Sequence, residues 1–284
     1  MKHSYLIIAH NEFGVLERLI QAIDDERNDI FIHFDKKLKE IPSFYPQNAN
    51  LYVLDKRIDA RWGHVSLIKA EYALFETAYL HGGYSYYHLL SGVHLPLKSQ
   101  DYIHCFYERL KDKVVLTSVP NCEYQTNLKM HRYNFFMKNF MHQNRYVRQI
   151  NQFLWKVCIR VQKELHIFKN QSNSYSIASE WVSMTTNSVE YILRIKKRVF
   201  KDYRFALGGD EFFVPSELAK SNLKDNIYFY NKLLKCDFGG TGPRTYQLDD
   251  FDELMNSDCL FARKFSHTDM CVVDKILTQI TTNK

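Results

Sequence analysis

YLIIAHN at residues 5–11 and IFIHFDKK at residues 30–37 are the two stretches that decide the fold. Each opens with a short unbroken run of apolar residues, the composition of a strand buried on both faces. Between them Val15, Leu16, Leu19, Ile20 and Ile23 recur at helical spacing. Strand, helix and strand within about thirty residues open a βαβ unit. Ligands of such sheets bind beyond the carboxyl ends of the strands, and His10, Asn11 and Asp35 fall on that edge. Asp35 fits two readings, an acceptor for a ribose hydroxyl or base and a turn acid that ends its strand.

Outward from this unit the alternation continues. Residues 51–54 read as a third short strand, residues 66–79 as an amphipathic helix and residues 84–90 as another strand. SGVHLPLK at 91–98 has the Gly, Pro and Ser of a loop with little room for helix or strand. With VVLT at 114–117 as a further strand, the pattern predicts an α/β fold around a mostly parallel sheet. Residues 128–168 differ. Their Lys, Arg, His, Phe and Tyr at helical periodicity predict two basic-aromatic helices, over the sheet or on a membrane surface. Further on we expect a polar loop at 170–176, a strand at 178–185 and a helix at 188–197. A strand at 227–230, a loop at 237–244, a short helix at 249–256 and a final helix starting with Ser266 follow. No repeat or clean linker divides the chain, so residues 1–284 read as one domain with a helical insertion at about 128–170.

LGGDEFFVP at 207–215 carries the chemistry. Gly208 and Gly209 allow a sharp turn and a close approach to a ligand. A helix starting near Asp210 would use that carboxylate as its cap. Glu211 then sits in the first turn beside Phe212 and Phe213, where desolvation raises a carboxyl pKa toward the range of a general base. The plainer reading of the same residues is a cap and a first-turn acid favoured by the helix dipole.

Composition bounds the partners. Aromatic residues make up 15% of the chain, which suits flat or amphipathic ligands such as sugars and nucleotides. A net charge of +6 without a basic block points to anionic small ligands or a membrane surface and away from nucleic acid. Cys105, Cys122, Cys158, Cys236, Cys259 and Cys271 show neither C-x-x-C nor zinc-ligand spacing, so reduced thiols in a cytoplasm are the reading. The amino-terminal apolar run turns polar too early for a signal peptide, and no run reaches the ~20 residues of a membrane span. A protein without a span is soluble or peripherally attached.

Several stretches, taken in order, resemble a known family. They are YLIIAHN from Tyr5, FIHFDKK from Phe31, RWGHVSLIKAE from Arg61 and YYHLLSGVHLPLK from Tyr86. SEWVSMTTNSVEYIL from Ser179, GGDEFF from Gly208 and LFARKF from Leu260 complete the set, which spans nearly the whole chain. It resembles a bacterial member of the core-2/I-branching β-1,6-N-acetylglucosaminyltransferases, glycosyltransferase family 14, which also includes peptide O-xylosyltransferases. The resemblance implies a GT-A-like fold, inversion at the anomeric carbon and catalysis without a metal ion. It makes Glu211 the general base on the acceptor hydroxyl and sets Lys264 against the donor diphosphate. Arg244 lies about where the family has its second diphosphate-binding residue, at a different spacing. Asp35 falls near the nucleoside, with His10 and Arg61 also assigned to the donor side. Ser91 and Trp181 fall where the family builds its sugar pocket. His94, Lys129, Arg132 and Asp210 complete the expected sugar and acceptor set. Where family members commonly carry an acid in S-G-x-D-x-P-[LI]-K, this chain has His94, which leaves the donor sugar open.

Departure of UDP builds negative charge on its β-phosphate, so cations must stand there. Arg244 and Lys264 are the expected pair in place of a metal. The one D-x-D, Asp250-Phe251-Asp252, lies in LDDFDELM, the pattern of a capped helix. The expected activity is transfer of a sugar, GlcNAc or alternatively xylose, from a UDP-sugar to a glycan or lipid-linked oligosaccharide. The chain shows no amino-terminal anchor or cysteine-rich stem of Golgi relatives, which implies a cytoplasmic enzyme, with peripheral contact at the inner membrane face as an option. A non-catalytic nucleotide- or glycan-binding module is the alternative from another class.

Overall fold

The computed structural model describes residues 1–120, 122–240 and 242–282. β1 (His3–Ala9) and β2 (Asn28–Phe34) are buried along their whole lengths, as runs of this composition require. α1 (Phe13–Ala22) joins them and buries Val15, Leu16, Leu19 and Ile20, the residues at helical spacing. β3 (Asn50–Val53) pairs in parallel with β2. α2 (Ser66–His81) then crosses to β4 (Tyr86–Ser91), which pairs in parallel with the free side of β1. β5 (Leu95–Pro96), α3 (Gln100–Leu110) and β6 (Val114–Leu116) follow. Next come α4 (Glu123–Met130) and α5 (Arg145–Glu164), and then β7 (Ser183–Thr185), which runs antiparallel to both β4 and β6. α6 (Thr186–Arg194), α7 (Lys196–Asp202) and α8 (Asp210–Ala219) lead to β8 (Ile227–Phe229), parallel to β6.

The main sheet has the order β3-β2-β1-β4-β7-β6-β8. Beside it, β9 (Leu234–Lys235) starts a carboxyl-terminal layer with the hairpin β10 (Phe238–Gly239) and β11 (Gly242–Pro243). α9 (Phe251–Asn256), β12 (Phe261–Ala262) and α10 (Met270–Thr282) complete the chain, with β12 between β5 and β9 in a small second sheet. A mostly parallel central sheet flanked by helices is a GT-A-like arrangement. The carboxyl ends of β1, β2 and β4 open onto one edge.

The fold departs from the expected elements in particular places. Residues 91–98 are not all loop: Leu95–Pro96 pairs with β12 at a sheet edge, a position that tolerates proline. Of 178–185 only Ser183–Thr185 joins the ladder. Upstream, the Ala178 amide donates to the Glu211 carbonyl (3.0 Å) and the Ser179 amide to the Thr117 carbonyl (2.9 Å), so loop partners replace strand partners. The basic-aromatic segment holds one long helix, not two. Residues 131–144 stay irregular apart from a single turn at Met137–Asn139, with Phe136 in the left-handed region at φ 65°. α5 starts where the Asn144 side chain accepts from the Tyr146 and Val147 amides (2.9 and 3.2 Å). The stretch 188–197 divides between α6 and α7. Ser266 caps a short turn at His267–Asp269, and the last helix starts only at Met270.

Gly63 fixes two of the loops that matter below. Its carbonyl accepts from the Gly208 amide (3.1 Å) while its φ is +67°, and a Cβ there would lie 2.9 Å from Leu207 Cδ1. Gly63→Ala is expected to cost roughly 1–3 kcal/mol of stability, the range for a residue forced into a sparse backbone region. A lower urea midpoint at unchanged m-value is the signature; an unmoved midpoint would refute the constraint.

Candidate active site

At the carboxyl end of β2, Asp35 organises its own turn. Its Oδ1 accepts the Lys37 amide (2.8 Å), and its Oδ2 accepts the Ala60 amide (3.2 Å) and lies 3.0 Å from the Lys37 ammonium. Lys37 reaches Asp59 (3.4 Å), and Arg61 grips Asp59 through Nε (2.6 Å) and Nη2 (2.7 Å). Asp35, Lys37, Asp59 and Arg61 therefore form one ionic chain along the sheet edge. His10, just past β1, faces Asp35, Lys37, Arg263 and Lys264. Packing around its ring lowers its proton affinity, Asp35 opposes this, and the three cations reinforce it.

Lys264 is half-buried, and its ammonium makes no hydrogen bond or ion pair among the described residues. The backbone around it is held by its neighbours. The Phe265 amide donates to the Val93 carbonyl (3.1 Å), and Glu12 accepts the Ser266 hydroxyl (3.1 Å) and the His267 amide (2.6 Å). An immobilised segment with an unpaired ammonium is a ready contact for phosphate. Arg244 comes close through its backbone, its carbonyl accepting the Lys264 amide (3.4 Å). Its guanidinium, however, is on Asp250 (2.7 Å).

The second half of the site gathers acids. Glu211, in the first turn of α8, holds the Lys129 ammonium at 2.7 Å on Oε2. Burial raises its pKa, Lys129 opposes the rise and Asp210 adds to it. Asp210 does not cap the helix as expected. Gly209 occupies the cap position, so the Asp210 side chain turns into the protein, where it is buried and shares a hydrogen bond with Glu180. Burial and then Glu180 push the Asp210 carboxyl well above its ordinary range. Glu71 on the inner face of α2 is 1% exposed and likewise raised by burial, then by Asp210 and Glu180. Glu180 pairs with Arg263 (3.3 Å), and Arg263 lies over the Trp181 ring (4.8 Å).

Trp181 packs edge-on against His94 at 4.8 Å. His94 Nδ1 lies against the Ser91 amide (3.1 Å), hydroxyl (2.8 Å) and carbonyl (3.2 Å). Burial and then Arg263 hold this imidazole neutral, well below its usual pKa. His94 Nε2 and Trp181 Nε1 are both buried without a partner, at a small cavity lined also by Leu90, Val182 and Leu233.

The structure thus brings Ser91, His94 and Trp181 together by direct contacts and joins them through Arg263 and Glu180 to Asp210, Glu211 and Lys129, while Asp35 and Lys264 both act on His10 by charge. Arg132 goes elsewhere. It is buried against Phe168 and donates to the carbonyls of Gln162 (2.9 Å) and Ile167, clamping the end of α5. Of the Asp250-x-Asp252 acids, Asp250 has a structural part, accepting the Gln247 amide (2.8 Å) as well as Arg244, and Asp252 is exposed. No group of three or more His, Cys, Asp or Glu among the described residues is arranged to hold a metal ion.

The family model for the Core-2/I-Branching enzyme matches residues 4–254. The chain belongs to this family. Among curated proteins it is similar to Xylosyltransferase 2 of Canis lupus familiaris and of Homo sapiens, each at 24% identity. The Mus musculus protein of the same name is 23% identical. The alignments cover 93% of this chain but 32% of each relative, so the chain spans about a third of the curated relatives' length. The acid corner lies inside the matched residues and Lys264 beyond them.

Sequence reasoning did not single out Glu71, Glu180 or Arg263 as site residues, although each lies in a stretch that carries the resemblance. Glu71 had a signal of its own, an acid on the α2 face that also buries Ile68, Tyr72 and Phe75. Its raised pKa sets a pH dependence. Unfolded, the carboxyl ionises near 4.5, while the folded protein still holds the proton. Stability is therefore lost as pH rises from there, by up to ~1.4 kcal/mol per pH unit. Glu71→Gln removes this titration and keeps the shape. Its stability relative to wild type should increase from acid to neutral pH in urea unfolding; a difference independent of pH would assign the effect to packing.

Proposed function

We propose that this enzyme is an inverting glycosyltransferase that moves a sugar from a UDP-sugar to a hydroxyl of a glycan or lipid-linked oligosaccharide, without a metal ion. One observation carries the reading. Glu211 adjoins Asp210, Asp210 is hydrogen-bonded to Glu180, and Glu180 pairs with Arg263, the neighbour of the unpaired Lys264. A carboxyl of raised proton affinity and an unpaired cation stand at the two ends of one connected set. A module that only binds has no use for such a carboxyl.

In the displacement, Glu211 takes the acceptor's hydroxyl proton as the hydroxyl oxygen bonds to the anomeric carbon. Oε2 holds Lys129, which leaves Oε1 for that proton. The bond from the anomeric carbon to the diphosphate breaks on the opposite face, and its electron pair leaves with UDP. Lys264, joined by Arg244, meets the charge growing on the β-phosphate. His94 Nε2 and Trp181 Nε1 offer two unpartnered polar atoms to the transferred sugar. UDP-GlcNAc is the donor implied by the family resemblance, and the reaction belongs on the cytoplasmic side of a membrane. UDP-xylose is the second reading, favoured by the name of the three similar proteins. A thermal-shift panel of UDP-sugars ranks the donors, because the one bound best raises apparent stability most.

Glu211→Gln should keep UDP affinity and lose at least the ~10²-fold in kcat typical of removing a general base. A near-wild-type kcat would transfer the role to Asp210. Activity should also survive exhaustive chelation, with little gain from added Mn²⁺. Loss with EDTA and rescue by Mn²⁺ would overturn the metal-free reading and reopen the role of Asp250 and Asp252.

A further inference from the structure

α5 is built the wrong way round for a helix of a globular protein. Tyr146, Ile150, Phe153, Val157 and Val161 recur every three or four residues, and all five are exposed, Tyr146 at 74% and Phe153 at 64%. A surface helix ordinarily turns such a stripe inward. Here the inward side is held mainly by polar groups. The Gln162 side chain bonds both the amide and the carbonyl of Tyr133 (2.8 and 2.9 Å), and Trp155 Nε1 donates to Asn134 (2.9 Å). Ile159 and Gln162 are the only buried residues of the helix. Phe136 and Met141, in the irregular stretch before α5, are exposed as well.

Charge narrows the occupant. Residues 128–168 carry eight Lys and Arg against one acid, Glu164, a net of +7, while the rest of the chain has 30 basic and 31 acidic residues, a net of −1. The whole positive excess of the protein thus belongs to this segment. Arg145, Lys156 and Arg160 are exposed on α5, and none has an ion-pair partner among the described residues. An apolar stripe beside unpaired cations complements a surface that is anionic at its face and apolar beneath it. A second copy of the chain would bring its own cations against these and lacks that complement. No helix of the described residues is long and apolar enough to cross a membrane, so the helix would lie in the interface.

We propose that α5 docks this enzyme on an anionic lipid bilayer, its apolar stripe toward the acyl chains and Arg145, Lys156 and Arg160 among the headgroups. The test is co-sedimentation of the full chain with phosphatidylcholine vesicles, with and without phosphatidylglycerol, across a salt series. Binding is expected with phosphatidylglycerol only and should weaken as salt rises. Phe153→Asp with Val157→Asp should abolish it. Arg145→Ala with Lys156→Ala and Arg160→Ala should weaken it by roughly a hundredfold, about fivefold per cation. UDP release with a soluble acceptor should be unchanged in both variants, which reports that they fold. The proposal fails if no binding occurs at low salt, or if binding persists in both variants. It also fails if sedimentation velocity shows a dimer that the aspartate variant dissolves, for then the stripe joins two copies.

Discussion

Four carboxyl groups, Glu71, Glu180, Asp210 and Glu211, share one corner of this protein, and two cations, Lys129 and Arg263, are paired with them among the described residues. Four buried or half-buried carboxylates cannot all stay ionised against two positive charges. The ion pairs go to the members that have them, Glu180 with Arg263 and Glu211 with Lys129. Glu71 and Asp210, buried and unpaired by any cation, keep their protons. The shape of the site depends on this division. Asp210, raised by burial and Glu180, lies against Glu180, and Glu211 is the acid of the α8 turn that stays part-exposed beside Lys129.

The division in turn needs α8 to begin where it does. Were Asp210 the cap, its carboxylate would be ionised on the helix end, as the sequence reading expected. Gly208 at φ +66° and the Gly208–Gly63 hydrogen bond start the helix one residue earlier and turn Asp210 inward. A backbone contact between two loops distant in sequence thereby bears on where this carboxyl is placed. Local capping rules do not include that contact, which is why they misplace this side chain.

The same distinction separates what the sequence reveals from what it hides. β1, α1 and β2 are legible because burial on both faces leaves its mark on every residue of a strand. The edge formed by His10 and Asp35 follows from them. The stretch 178–182 misleads because its composition is that of a strand, while its Ala178 and Ser179 amides are bound by Glu211 and Thr117 across the fold. Arg132 reads as one more exposed base in a basic run, yet carbonyls at 162 and 167 bury it. Glu180 and Arg263 stand inside recognisable stretches, but pairing between residues 83 positions apart has no sequence signature.

Cations in this protein fall into two kinds, and the difference follows from what each has to hold. Around the sheet edge nearly every one is compensated: Lys37 by Asp35 and Asp59, Arg61 by Asp59, Arg263 by Glu180, Arg244 by Asp250. Compensation fixes direction, since a paired guanidinium cannot swing toward whatever anion arrives. Lys264 is the exception, and on the proposed reading the diphosphate supplies its missing partner, with Arg244 recruited from an exposed pair that solvent already weakens. On α5 the reverse holds, with cations left uncompensated beside exposed apolar residues. Such a surface selects for charge and depth rather than for shape, which is how a bilayer is recognised. Lys129 starts the same segment and its ammonium ends on Glu211, so the stretch that carries the proposed docking face also contacts the proposed base.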